Sequence, residues 1–142
     1  AARAFRAIMP AGYNIYDMDH IVVNHDYQSG CCNWLSVAYS NALNGNTTIL
    51  FGAVPYPYNI HVCPRIVHFN PIRYLLLHCG DDVRTQRLTN RGGWTPAGIL
   101  HTNEYGRQQY ANAIALSYPV IHTDLTEQTE VASLIRNWVL TV

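Results

Sequence analysis

The segment "TTILFGAV", residues 47–54, is a β-branched apolar run with Asn and Gly before it and Pro55 after it. A short continuous apolar run between turn residues suits a strand buried on both faces of a parallel sheet. "RYLLLHC" (73–79) has the same character and leads into Asp81-Asp82, good residues for opening a helix. Upstream, "YNIYDMDHIVV" (13–23) reads as a strand running into a loop that carries carboxylates, and downstream "PVIHTD" (119–124) reads as a short strand. Helical signals fill the intervals. "AARAFRAI" is Ala-rich and ends at Pro10 and Gly12. Residues 31–44 place apolar side chains at 31, 34, 35, 38, 39 and 42 and stop at Asn44-Gly45. Further helices are expected from Asp81 to Gly92-Gly93, over 103–118 and over 126–139, the last with Val131, Leu134, Ile135 and Trp138 on one face. Alternating strands and helices predict one α/β domain over 1–142 with a mainly parallel sheet.

Composition narrows the function classes. Of 142 residues, 49% are apolar and 13% charged, which argues against disorder. A formal net charge of zero argues against a general nucleic-acid or membrane-surface binder. Every basic residue counted in that balance is arginine; the chain has no lysine. Cys31, Cys32, Cys63 and Cys79 form no CxxC pair and are too few for a disulfide-stapled secreted fold. No apolar run approaches the roughly 20 residues of a membrane span, and no signal peptide opens the chain. A soluble, reducing, cytoplasmic setting is expected. The first residues lack an initiator Met, as in a processed or truncated chain.

In parallel α/β sheets, ligands sit beyond the carboxyl ends of the strands, so candidate chemistry is sought there. Asp17 and Asp19 flank Met18 at the end of the first strand. They are candidates to hold Mg²⁺ or to accept a hydroxyl proton, against the plainer roles of capping and solvation. The loop after "TILFG" carries Tyr56, Tyr58 and Arg65. Arg65 suits a phosphate or carboxylate, and the tyrosines suit stacking on a substrate or ordinary loop packing. Arg84, Arg87 and Arg91 share one helical face, an arrangement that repels itself unless anions lie opposite. Trp34 and Trp138 read as core; Trp94 either stacks on a base or staples its loop. Two other readings carry less weight: a zinc site from His61, Cys63, His68, His78 and Cys79, whose spacing matches no finger, and a Cys-His hydrolase built on Cys31 or Cys32.

Taken in order, "YDMDHI", "TILFG", "CPR", "IRYLLLHC", "RTQRLTNRGGW" and "HTDLTEQTEVASLIRNWV" resemble the P-loop small-molecule kinases of the nucleoside-, gluconate- and shikimate-kinase-like branch. The resemblance runs from about residue 1 to 139. It implies a P-loop-kinase-like three-layer domain with a lid around 81–105. It also implies ATP and Mg²⁺ as cofactors and phosphoryl transfer to a small hydroxyl-bearing substrate. By the same resemblance, Asp17 and Asp19 act as base or Mg²⁺ organiser, Arg65, Tyr56 and Tyr58 hold substrate, and Arg84 and Arg87 serve the transferring phosphate. Arg91, Asp124 and Thr126 would line the nucleotide. The phosphate loop GxxxxGK[ST] and the strand before it, central in the family's order 2-3-1-4-5, do not occur here. Activity is therefore expected to be impaired without a loop supplied from elsewhere. The alternative is a non-catalytic nucleotide- or partner-binding module.

Overall fold

The computed structural model describes residues 2–52 and 57–142. The chain divides into two compact units, Ala1–Ile72 with Ile135–Val142, and Arg73–Leu134.

In the first unit, helix α1 (Ala2–Arg6) precedes strand β1 (Tyr13–Asp17) and a 3-10 turn at Met18–His20. Helix α2 (Tyr27–Leu43), strand β2 (Thr47–Phe51) and 3-10 turns at Ile60–Val62 and Pro64–His68 follow. β1 and β2 pair in parallel, from Tyr13 opposite Thr47 to Asp17 opposite Phe51. Helix α2 starts before the expected Cys31 because Asp26 caps it, accepting the Ser29 N–H at 3.0 Å and the Ser29 hydroxyl at 2.7 Å. Apolar periodicity is blind to that first turn, where Gly30 lies so close to Val22 that a methyl group would collide with it. The core gathers Met18, Cys31, Trp34, Leu35, Ile60 and Cys63.

Cys32 and Cys63 are joined by a disulfide, where a reducing setting is expected. They lie 31 residues apart, so no local spacing rule registers them. The two meet because the 3-10 segment packs along α2. The bond also withdraws Cys63 from the zinc reading, since only a thiolate ligates the metal.

In the second unit, strand β3 (Leu76–His78) leads into α3 (Asp81–Arg91), α4 (Pro96–Ala115) and strand β4 (Val120–His122). β3 and β4 pair in parallel, with His78 opposite His122. Helix α3 ends as expected at Gly92, whose φ of 75° suits a residue without a side chain. Helix α4 starts ahead of residue 103 because the Thr95 hydroxyl accepts the Gly98 N–H at 3.1 Å and Pro96 takes the first turn. Helix α5 (Gln128–Thr141) begins in this unit and ends in the first.

The fold is thus mixed α/β with two separate two-stranded parallel sheets rather than one mainly parallel sheet. The strands expected to be buried are half-buried along their length, apart from an exposed Thr47 in β2. In a two-stranded sheet every strand is an edge, so among the described residues half the ladder of each strand has no neighbouring strand.

Candidate functional site

β1 delivers Asp17 at its last residue, and the chain then turns instead of extending, so Asp17 and Asp19 do not share a strand face. Asp17 caps the turn, its Oδ1 accepting the Asp19 N–H at 3.2 Å. Asp19 Oδ1 accepts the Tyr27 hydroxyl at 2.9 Å, and this bond pushes the Tyr27 pKa above the usual phenol range. Buried Met18 lies between the two carboxylates, and its carbonyl accepts the Trp34 indole N–H at 2.9 Å. Gly52, just past β2, has φ 156°, and a Cβ there would run into the Met18 side chain. The end of β2 is therefore kept bare so that the acidic turn can seat itself.

Beside this turn, Tyr58 stacks on Tyr27 with ring centroids 5.6 Å apart, and burial raises its pKa. Tyr58, Tyr27 and Asp19 so form one chain of contacts. Arg65 takes a different place: its guanidinium lies 4.3 Å over the Tyr39 ring, a cation–π pairing with α2. Tyr56 lies outside the described residues.

In the second unit, the arginine stripe finds most of its anions and carbonyls within the protein. Arg84 donates to Asp81 Oδ1 at 2.9 Å, to Asn103 Oδ1 at 3.2 Å and to the Cys79 carbonyl at 2.5 Å. Asn103, nearly buried, also donates to the Thr85 hydroxyl at 2.9 Å. A Cβ on Gly106 would occupy the space of the Arg84 guanidinium, which explains a glycine in mid-helix. Arg87 donates to the Thr123 hydroxyl at 3.0 Å and to the Thr123 carbonyl. Arg107, more than half exposed, pairs with Asp81 and Glu104. Arg91, at the end of α3, is exposed and makes no hydrogen bond or ion pair among the described residues.

The end of β4 completes this face. Asp124 Oδ1 accepts the Gly80 N–H at 2.8 Å, which holds its carboxyl below the usual range. The carboxylate thereby ties the turn after β4 to the N-terminus of α3, where negative charge is favoured. The Thr126 hydroxyl donates to the His122 carbonyl at 3.1 Å. His78 stacks on Tyr110 at 4.3 Å and meets His122 edge-on at 5.6 Å.

Two expected outcomes follow from this wiring. With 13% of its side chain exposed, Arg84 is a part-buried hub. Arg84→Ala strips a donor from Asn103 and from the Cys79 carbonyl, and should cost the second unit about 2–3 kcal/mol in urea denaturation. Arg84→Lys should recover little, because the compact ammonium lacks the planar fork whose two terminal nitrogens reach Asp81 and Asn103 on one side and the Cys79 carbonyl on the other. The second outcome concerns pH. Desolvation, then Arg84 and His122, lower the His78 pKa against the opposing pull of Asp124 and Asp81. The unfolded chain thus binds the proton first. Stability from this group is complete above the ordinary histidine value of about 6.5 and declines as pH falls through it. Urea midpoints of the second unit at pH 7.5 and 5.0 should show that loss, and His78→Gln should shrink it.

Sequence reasoning singled out Asp17, Asp19, Tyr58 and the arginines but not Tyr27, Asn103, Gly106 or Thr123. Of these, Gly106 inside a helical stretch was the one readable signal. No group of three or more His, Cys, Asp or Glu able to hold a metal occurs among the described residues. Among the described residues, no helix is long and apolar enough to cross a membrane. No protein-family model matches the sequence, and comparison with curated proteins and with solved structures found no match.

Proposed function

We propose that these residues belong to a P-loop-kinase-like, three-layer phosphotransferase that serves ATP-dependent phosphoryl transfer to a small hydroxyl-bearing substrate. The observation that carries this reading is strand pairing. Removing the central strand from the order 2-3-1-4-5 leaves two parallel pairs, 2-3 and 4-5, and β1–β2 with β3–β4 are two such pairs. The candidate residues Asp17 and Asp19, and Asp124 and Thr126, lie at or just past the carboxyl ends of β1 and β4, where α/β ligands bind.

The residues present do not fit the phosphate tail of ATP. A glycine-rich loop with its lysine is needed to cradle it, and the chain has no lysine. Without that cradle the grip on Mg·ATP is weak, and phosphoryl transfer by these residues alone is impaired. The acidic turn does suit Mg²⁺, which takes one or two carboxylates and keeps water or phosphate oxygens elsewhere. In this reading Asp19, which accepts the Tyr27 hydroxyl, takes the substrate's hydroxyl proton, and Tyr58, stacked on Tyr27, meets the substrate. Arg91 is the arginine of the stripe left to meet an anion, while Arg84 and Arg87 position the lid by holding the ends of β3 and β4. A cytoplasmic setting belongs to this proposal with one condition. Cytosolic disulfides are usually transient or redox-sensing, so Cys32–Cys63 would there be reversible.

A second reading is a nucleotide- or partner-binding module without turnover. The satisfied donors of Arg84 and Arg87 favour it. Calorimetric titration with Mg·ATP, against MgCl₂ alone, tests the site. Weak binding is expected, reduced about tenfold in Arg91→Ala by loss of one charge-assisted contact. Heat absent from both proteins contradicts nucleotide binding. Binding without transfer to sugars or nucleosides supports the module.

A further inference from the structure

Helix α2 presents Gln28, Cys32, Leu35 and Tyr39 at steps of four, three and four, which form one stripe. The 57–69 segment lies along it. The Gln28 side chain exchanges two hydrogen bonds with the Asn59 backbone, each 2.8 Å. Leu35 shares the core with Ile60. Tyr39 carries Arg65 at 4.3 Å and His68 at 4.5 Å on its ring. The segment consists of short 3-10 turns, pairs with no strand, and exposes Val62 and Val67 by 63% and 79%. Cys32–Cys63 is its one covalent attachment to the helix and sits mid-stripe. Cys63 is 1% exposed, whereas Cys32 is only partly buried, so an incoming thiol reaches the Cys32 sulfur first.

We propose that Cys32–Cys63 is a redox latch that clamps the 57–69 segment, with Tyr58 and Arg65, onto α2, and that a dithiol opens it. The thiolate of the dithiol attacks Cys32 Sγ and displaces Cys63 as a thiolate, which takes up a proton. The second sulfur of the dithiol then attacks the mixed disulfide and releases Cys32. Two electrons and two protons pass to the cysteine pair, and the dithiol leaves as its own disulfide. Oxidised glutathione reverses the reaction, yielding two reduced glutathiones. Reduction leaves the segment held by the burial of Ile60, the packing of Tyr58, Ile66 and Phe69 and the Gln28–Asn59 bonds, without its covalent tie, so it opens locally more often. The inference stands apart from the phosphotransfer reading, since its readouts are cleavage and thiol chemistry.

Limited trypsinolysis reads the latch cleanly in a lysine-free chain, where cleavage falls only after arginine. The initial rate at Arg65–Ile66 is compared with that at Arg91–Gly92 in the other unit, with mass spectrometry following alkylated cysteines. Dithiothreitol should raise the ratio by about tenfold or more, as expected for a freed segment. Oxidised glutathione should restore it. Cys32→Ser should cut fast with or without dithiothreitol, and the reduced native protein serves if that variant does not fold. The proposal is overturned by an unchanged ratio after confirmed reduction, or by acceleration at every arginine together, which marks global unfolding. Four free thiols after treatment with oxidised glutathione would overturn it equally.

Discussion

Trp34→Ala should lower the stability of the first unit by about 3–5 kcal/mol, the range for truncating a buried aromatic. The indole is 4% exposed and packs on Tyr16 with centroids 4.9 Å apart, within the cluster of Met18, Cys31 and Leu35. Two losses add. The cavity forfeits the contacts of the ring, and the Met18 carbonyl loses its 2.9 Å indole donor. That carbonyl belongs to the turn between Asp17 and Asp19, so the substitution loosens the acidic site as well as the core. Hydrogen exchange of the α2 and β1 amides in urea measures the effect. Trp34→Phe should recover the packing but not the hydrogen bond and fall between the two. A loss below about 1 kcal/mol for Trp34→Ala would mean that the indole is not a core residue.

Cutting the Cys32–Cys63 bond should cost the same unit about 3–4 kcal/mol. The chain-entropy relation gives roughly 3 kcal/mol for a 15-residue loop and 4.7 for 100; this bond spans a sequence separation of 31. The loss should appear as a lower urea midpoint in reductant, and the double substitution Cys32→Ser/Cys63→Ser should reproduce it. Cys31 should contribute little to exchange, since burial raises the pKa of its thiol and leaves less of the reactive thiolate. Equal midpoints with and without reductant would contradict a formed bond.

How far the residues foretold this arrangement depends on the range of the interaction. "TILF" and "LLH" announced strands because apolar runs between turn residues are local signals, and Asn44-Gly45 and Gly92 marked helix ends for the same reason. The carboxylates at the end of β1 were legible too, but not their separation into a cap and a Tyr27 acceptor, which depends on the chain turning at Met18. The anions facing the arginine stripe lay partly at hand in Asp81. Asn103 and Thr123, 19 and 36 residues from the arginines they meet, reach them only through packing. The disulfide was hidden for the same reason. The expected single sheet also failed at long range, where pairing and not propensity decides which strands are neighbours.

The most direct test of the proposed site is a residue-resolved NMR titration of ¹⁵N-labelled protein with Mg·ATP. The proposed site requires saturable shifts at Arg91, Asp124 and Thr126, which close α3 or follow β4 within the second unit, and weaker shifts in Arg91→Ala. Shifts absent at millimolar nucleotide, or confined to residues away from those ends, would contradict it.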